Sequence, residues 1–197
     1  FENEGSSSVG AVAVAPSAPD VVWVGTGEAN ARNSVSWGDG VYRSEDGGET
    51  WTRTLEVNEH TGASDLAMDP TNPDVLYACT FDKVRVPWSY DLGGPGSRVY
   101  KTADGGENWE MLTNGLPQGM LGRIGLTMSA ADPNRIYLLS DRVPPSSQTR
   151  SLPISDWAPS PTWSVLFCLA DQGKLRIRSE TPTASSRASC ALMTSVG

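Results

Sequence analysis

The chain repeats one arrangement of apolar and polar positions three times. Each copy has an apolar run, a short stretch with Pro and Asp, Asn or Ser, and a second apolar run that reaches Trp or Tyr. The prolines of these stretches, Pro19, Pro73 and Pro133, lie 54 and 60 residues apart. Apolar runs bounded by turn residues are typical of β-strands. The pattern therefore predicts three equivalent strand pairs, which are residues 10–24, 62–78 and 122–138.

Two similar octets follow the first and second strand pairs. They read SEDGGETW at residues 44–51 and TADGGENW at residues 102–109, and a short apolar run precedes each of them. Asp favours turns that its side chain closes, Gly adopts positive φ without steric cost, and Trp and Thr favour strands. Each octet therefore predicts a hairpin turn in which the aspartate accepts backbone hydrogen bonds and the tryptophan opens the next strand.

Strand pairs and octets together define a repeating unit of four strands. The predicted strands of the first unit are 10–15, 21–26, 40–44 and 51–55, those of the second are 64–68, 74–80, 98–102 and 109–112, and the third unit supplies 123–128 and 135–140. Four antiparallel strands per repeat are typical of a propeller blade. The sequence thus predicts an all-β fold, a partial β-propeller of about two and a half four-stranded blades over residues 1–142.

Two and a half blades are too few for a closed ring, which has about four to eight. Either the chain is a fragment of a longer protein, which we favour, or further blades of another subunit complete the ring. Residues 143–197 contain no octet, are rich in Ser and Pro, and carry a positive excess charge. We expect this tail to be irregular, either disordered or translated from a non-native frame.

Composition narrows the chemistry that the chain can perform. Its formal net charge is −8, which argues against a nucleic-acid partner, because phosphate binding needs a basic face. Three cysteines and one histidine lack the spacing of a zinc site, so we expect no metal and no cofactor. We find no apolar stretch that would predict a membrane span, and no visible signal peptide.

The octets resemble the Asp-box, or BNR repeat, whose pattern is Ser/Thr-x-Asp-x-Gly-x-Thr-Trp. The first octet matches every position, and the second departs from the pattern at Asn108. In the Asp-box these positions form a structural turn and do no chemistry. The resemblance implies that structural role for Ser44, Asp46, Gly48, Thr50, Trp51, Thr102, Asp104, Gly106 and Trp109.

Residues 1–142 also resemble the sortilin-type N-terminal propeller domain of secreted bacterial glycosyl-hydrolase-like proteins. The similarity is carried by WVGTGEANARNSVSWGDGVYRSEDGGETW, PWSYDLGGPGSRVYKTADGGENW and NGLPQGMLGRIGL. It implies a secreted or periplasmic location. It also implies that a blade is missing near residue 54, where proteins of that family often have a further repeat.

Two long connections are the candidate binding loops. Residues 27–39 and 82–97 link the second and third strands of successive units, and equivalent loops of a propeller meet at one rim. Each loop holds an arginine and a tryptophan, which suit carboxylate capture and sugar stacking. The loops could equally pack over their own blades, and the sequence leaves both interpretations open. The candidate ligand-binding residues are Arg32, Trp37, Arg85, Trp88 and Tyr90.

Catalytic residues are not singled out by any spacing. A glycosidase needs two carboxylates, and Glu28 and Asp39 are the weak candidates for that role. The hypothesis we favour is a non-catalytic binding or interaction module of a larger secreted protein, with a glycan or a protein or peptide as ligand. The alternatives are a fragment of a xyloglucanase- or sialidase-like glycoside hydrolase acting on polysaccharide, and a truncated product without function.

Overall fold

The computed structural model describes the chain from Ser6 to Arg142 with short gaps, and two later strands. The described residues are 6, 8–30, 35–86, 88–114, 116, 119–130, 132–142, 165–171 and 174–180. For 89, 90, 132–135, 141, 142 and the two later strands only the backbone is described. These residues form antiparallel β-strands and no helix, which confirms the predicted all-β class.

The first blade is a four-stranded antiparallel meander. Its strands are β1 (Val9–Ala15), β2 (Ala18–Thr26), β3 (Val41–Ser44) and β4 (Thr52–Leu55), and they pair in chain order. All four strands that the sequence predicted for this unit are present within a few residues of their expected bounds. The four-strand repeat that the sequence predicts is therefore the structural repeat of this blade.

The second blade repeats the meander with one insertion. Its strands are β5 (Thr61–Met68), β6 (Leu76–Asp82), then a separate hairpin of β7 (Val84–Val86) and β8 (Ser89–Asp91), and finally β9 (Val99–Thr102) and β10 (Glu110–Leu112). The sheet order is β10-β9-β6-β5, so the hairpin stands outside the blade. The sequence predicted a loop for this connection, and that prediction missed the hairpin because each of its strands has only three residues.

The third unit begins with a strand pair. It consists of β11 (Leu121–Ser129) and β12 (Asp132–Arg142). A second hairpin, β13 (Val165–Asp171) with β14 (Lys174–Glu180), lies alongside β12 as a separate sheet. This hairpin falls within residues 143–197, the tail that we expected to be irregular. The rest of that tail lies outside the described residues.

Successive blades pack face to face and enclose two apolar cores. Side chains alternate between the two faces of a strand, so every blade has a front face toward the preceding blade and a back face toward the following one. Trp23 and Val41 on the back of the first blade pack against Leu76 and Ala78 on the front of the second. Between the second and third units the core is formed by buried Ala67, Cys79, Val99, Leu116, Leu121, Ile124, Leu126, Ile136 and Leu138.

Each octet forms a turn closed by its own side chains. Ser44 Oγ donates to Asp46 Oδ1 at 2.7 Å, the Gly48 N–H donates to Ser44 Oγ at 2.8 Å, and the Thr50 N–H donates to Asp46 Oδ1 at 2.9 Å. Gly47 and Gly48 have φ of 75° and 101°, which favours glycine at both positions. The Trp51 Nε1–H donates to the Gly48 carbonyl at 2.9 Å.

The second octet has the same turn geometry. Thr102 Oγ1 donates to Asp104 Oδ1 at 2.8 Å, and the Asn108 side-chain amide donates to Asp104 Oδ2 at 2.8 Å. Asn108 thus fills the place of Thr50, whose hydroxyl donates to Asp46 Oδ2. The departure from the octet pattern at Asn108 therefore keeps the hydrogen bond.

These bonds make the turns sensitive to acid. Hydrogen bonds from Asn108 and Thr102 lower the pKa of Asp104 to about 2 from the usual 3.8. A carboxyl whose pKa is lower in the folded chain stabilises it above the unfolded pKa, and this stabilisation is lost as the pH falls through the folded value. We expect Asp104→Asn to lower the midpoint of thermal unfolding at pH 6 and to change it little at pH 2. Calorimetry of both proteins across that range is the test, and an equal deficit at both pH values would contradict it.

Candidate functional site

The long loops of the first two blades, and the connections that lead from each blade to the next unit, lie at one edge of the sheets. The strands β2, β6 and β12 end at this edge, and β5 and β11 begin there. We call this edge the loop rim and define it as the described residues within 27–40, 56–60, 83–98 and 113–120. The octets and the proline turns lie at the opposite edge, where the Gly47 N–H donates to the Asp20 carbonyl and the Gly105 N–H donates to the Asp74 carbonyl.

Two buried threonines fix the bases of the long loops. Thr26 Oγ1 donates to the Gly40 carbonyl at 2.8 Å and accepts the Asp39 N–H at 2.9 Å. Thr80 Oγ1 donates to the Gly96 carbonyl at 2.6 Å and accepts the Arg98 N–H at 3.0 Å. Both loops therefore leave and rejoin their blades at anchored positions.

Trp88 is the most exposed large apolar side chain on the described surface. It lies at the tip of the β7–β8 hairpin, and 86% of its surface is accessible to solvent. A tryptophan at this exposure contributes little to the packing of its own chain. Its position is therefore inconsistent with the interpretation that this side chain is a lid over the second blade.

Trp37 lies on the loop of the first blade and pairs with His60. The ring centroids are 4.3 Å apart with the planes tilted by 47°. The Trp37 carbonyl accepts a hydrogen bond from Ser6 Oγ at 3.0 Å. The indole remains exposed, so the Trp37–His60 pair offers an aromatic surface that both the first and second blades support. The sequence did not indicate this role for His60, which is 23 residues away.

Lys83 of the second blade and Arg123 of the third unit lie close enough to interact. Lys83 is buried, and its Nζ lies 4.9 Å from the centre of the Phe81 ring. Burial lowers the pKa of Lys83 to about 8, with an opposing effect of Glu28 and a further lowering by Arg123. An Arg123 Nη1–H donates to Asn30 Oδ1, which joins the third unit to the loop of the first. No signal in the sequence indicated that Lys83 and Arg123 lie close together.

The two candidate catalytic carboxylates have different surroundings. Asp39 accepts a hydrogen bond from the Tyr42 hydroxyl at 2.7 Å, its other oxygen lies 3.0 Å from Thr26 Oγ1, and Arg53 Nη1 lies 3.5 Å from the carboxylate. Both of its oxygens are thus engaged in holding the loop base. Glu28 instead lies close enough to Lys83 to affect the pKa of that side chain.

The remaining candidates are only partly described. Arg85 is half-buried on β7 of the hairpin that carries Trp88. Arg32 and the side chain of Tyr90 lie outside the described residues. The structure thus places Trp37, Arg85 and Trp88 on loop-rim segments, and their role in binding stays a prediction.

A cleft of about 450 Å³ lies at the opposite edge of the sheets, between the two octets. Arg43 forms ion pairs there, with Glu45 at 2.7 Å and with Asp74 of the second blade at 3.6 Å. Because its arginines already face carboxylates, the cleft offers no excess charge to a ligand. Its lining residues are Arg43, Glu45, Thr50, Thr52, Arg53, Thr54, Gly105, Gly106 and Glu107.

Two specific features are absent from the part of the chain that the structure describes. These residues contain no group of three or more His, Cys, Asp or Glu side chains placed to hold a metal ion. They also contain no helix that is long and apolar enough to cross a membrane.

Comparison with solved structures shows the fold. The chain is similar to an ancestral GH74 enzyme with 16% identity and a TM-score of 0.52, over 91% of this chain and 26% of that one. It is also similar to YCF48 from Cyanidioschyzon merolae, with 14% identity and a TM-score of 0.49, over 98% and 45% of the two chains. A third similarity is to Sqt1 from Chaetomium thermophilum bound to the N-terminus of ribosomal protein L10, with 17% identity and a TM-score of 0.44, over 93% and 39%.

At sequence identities of 14–17%, these similarities show the fold and nothing further. Of these three, the ancestral GH74 enzyme exceeds a TM-score of 0.5. No protein-family model matches the chain, and no curated protein matches it either. The chain spans less than half the length of each of the three structures named above. In fold, it is a partial β-propeller.

Proposed function

We propose that the chain is a non-catalytic carbohydrate-binding module, built of Asp-box blades, within a larger secreted protein. The observation that carries this proposal is the tryptophan at the tip of the inserted hairpin, which is 86% exposed. An exposed indole costs solubility unless it has a partner. The octet turns, closed as the Asp-box pattern requires, support the choice of blade type.

The chemistry of the loop rim suits a saccharide. Sugar rings present C–H faces that stack on an indole, and their hydroxyl groups need donors and acceptors at the edge of the contact. Trp88 and the Trp37–His60 pair supply the aromatic surfaces. The exposed pair of Arg123 and Asn30 supplies polar groups between blades. Their mixture of cationic and amide groups also admits a carboxylated sugar.

The hydrolase alternative has less support in the geometry. Asp39 stabilises the base of the loop, because its carboxylate contacts Thr26, Tyr42 and Arg53. A glycosidase general acid needs a raised pKa in an apolar pocket. The other candidate carboxylate, Glu28, lies near the cationic side chain of Lys83. Binding without bond cleavage is therefore the function that we propose.

The test is an array of neutral and carboxylated oligosaccharides, followed by calorimetric titration of the best ligand. We expect Trp88→Ala to weaken binding by about tenfold or more, because truncating a central aromatic anchor costs about 2 kcal/mol or more. The unfolding midpoint should not change, since the side chain is exposed. Met111→Ala, which removes an exposed apolar side chain from β10, is the control and should leave binding unchanged.

Two results would contradict the proposal. One is an array on which no saccharide binds, with short peptides captured instead. The other is release of reducing sugar that Glu28→Gln abolishes, which would make the chain a hydrolase. Either result can be obtained with the same protein preparation.

A further inference from the structure

All three units contribute to one group of polar side chains beside the loop rim. Asn30 lies on the loop of the first blade, Lys83 directly follows β6 of the second, and Arg123 lies on β11 of the third. An Arg123 Nη1–H donates to Asn30 Oδ1. Lys83 lies close enough to Arg123 and to Glu28 of the first loop for both to affect its pKa. The group therefore brings together two cations, one carboxylate and one amide.

The charge of Arg123 has no carboxylate partner within the part of the chain that the structure describes. Arg43 and Arg53 each form ion pairs with two carboxylates. Arg123 is exposed and contacts a neutral amide instead. In a chain with a formal net charge of −8, carboxylates are plentiful, so this pairing with an amide is a local exception. The guanidinium is therefore available to an anionic group of a ligand.

The hydrogen-bonding groups of this pair suit an acidic sugar. A guanidinium carries its N–H donors in a planar fork that matches the two oxygens of a carboxylate. With one Nη1–H on Asn30, the fork of Nε and Nη2 can bind both oxygens of one carboxylate. The Asn30 amide nitrogen is a further donor beside it. A uronic acid presents a carboxylate next to a ring oxygen and a hydroxyl group, which are the acceptors that this arrangement requires.

We propose that the saccharide bound at the loop rim is acidic, and that Arg123 binds the carboxylate of a uronic acid residue while Asn30 contacts the same sugar. The inference rests on the proposed carbohydrate-binding function and specifies the ligand of that site. A carboxylate forms charge-assisted hydrogen bonds with the guanidinium, which a neutral sugar hydroxyl cannot match. Because the first blade and the third unit both supply contacts, the site depends on the packing of successive blades.

The test compares a trimer of galacturonic acid with its methyl ester, which keeps the sugar and removes the negative charge. In calorimetric titration the acid should bind about tenfold more tightly than the ester, the ratio expected of one charge-assisted hydrogen bond. Arg123→Gln should abolish this preference, and Arg123→Lys should keep part of it, since an ammonium has charge without the fork. Neither variant should shift the unfolding midpoint, because the side chain is exposed. Lys101→Gln removes a positive charge outside the loop rim and should keep the full preference.

Lys83 provides a second measurement, in which the bound acid is detected as a change in protonation. Burial, with Arg123 acting in the same direction and Glu28 opposing, lowers the pKa of Lys83 to about 8. A carboxylate bound at Arg123 acts on Lys83 as Glu28 does and raises this pKa. At pH 8 the acid should therefore bind with uptake of a fraction of a proton, and the ester with none. Titration in buffers of different ionisation enthalpy measures the uptake, which Lys83→Met should abolish.

The outcomes separate this inference from the function on which it rests. Equal affinity for the acid and the ester, with both lost in Trp88→Ala, would overturn the inference and leave carbohydrate binding standing. A preference for the acid that survives Arg123→Gln would overturn it too. So would tighter binding of a sulfated neutral trimer, since a sulfate ester would then be the anion recognised. If neither trimer nor any other saccharide binds, the proposed function itself fails, and the inference fails with it.

Discussion

Replacing Trp23 by alanine is expected to lower the free energy of unfolding by about 3–5 kcal/mol. The side chain is fully buried on the back of the first blade. It meets Trp109 of the second blade edge to face at 6.1 Å, and Arg43 lies 5.4 Å from the centre of its ring. Truncating a buried tryptophan removes this contact and leaves a cavity, which gives the stated cost. Urea unfolding followed by circular dichroism measures it.

Two variants show whether packing is the cause. Trp23→Phe keeps an aromatic ring in the core and removes an indole N–H that finds no hydrogen-bond partner in the described structure, so it should cost less than half as much. Trp88→Ala removes the same side chain from the surface and should change the free energy of unfolding by less than about 0.5 kcal/mol. Equal losses for Trp23→Ala and Trp88→Ala would show that blade packing does not stabilise the chain.

The blades could be predicted from the sequence because they depend on local signals. Alternating apolar residues, the proline turns and the Asp-Gly-Gly turns specify strands within a few residues, and all of these lie close together in the chain. Which faces are covered could not be predicted in the same way. Val12 and Leu66 have the same pattern, and the first is exposed whereas the second packs in a core, because coverage depends on a neighbouring blade.

The loop rim was predictable only in outline. The length of the two connections and their tryptophans made residues 27–39 and 82–97 the candidate binding loops. The exposure of Trp88 depends on the β7–β8 hairpin, whose strands are too short to give a periodic pattern. The approach of His60 to Trp37 is tertiary, so no spacing could have revealed it. The sequence thus located the loops and left their contacts open.

Close contact between backbones explains two glycines, Gly38 on the loop rim and Gly62 on the adjoining strand β5. Gly38 and Gly62 face each other where the first blade meets the second, and a Cβ on Gly62 would overlap the Thr26 carbonyl oxygen. Carbonyl and Cα atoms fill the space that a side chain would need. The blades can therefore come together at this edge only where the chain has no side chain, which makes glycine a packing residue here.

Gly40 combines this crowding with an unusual backbone angle, and Gly40→Ala is expected to be among the most damaging single substitutions. Its φ is 131°, a region that L side chains rarely adopt, and an added Cβ would overlap the Leu55 carbonyl oxygen. Backbone strain of this kind costs about 1–3 kcal/mol, and forcing a backbone carbonyl aside costs about as much again. We expect a loss of about 3 kcal/mol or more in urea unfolding.

Two other glycines separate the causes. Gly119 has a φ of 107°, and an added Cβ there would have no atom within 4 Å, so Gly119→Ala should show the backbone strain alone, about 1–3 kcal/mol. At Gly125 the nearest atoms would be 3.9 and 4.0 Å from an added Cβ, and Gly125→Ala should change the free energy of unfolding by less than about 1 kcal/mol. If Gly40→Ala cost no more than Gly125→Ala, the β3 strand could not begin where the Thr26 and Leu55 backbones place it. The return of the loop to the first blade would then need another explanation.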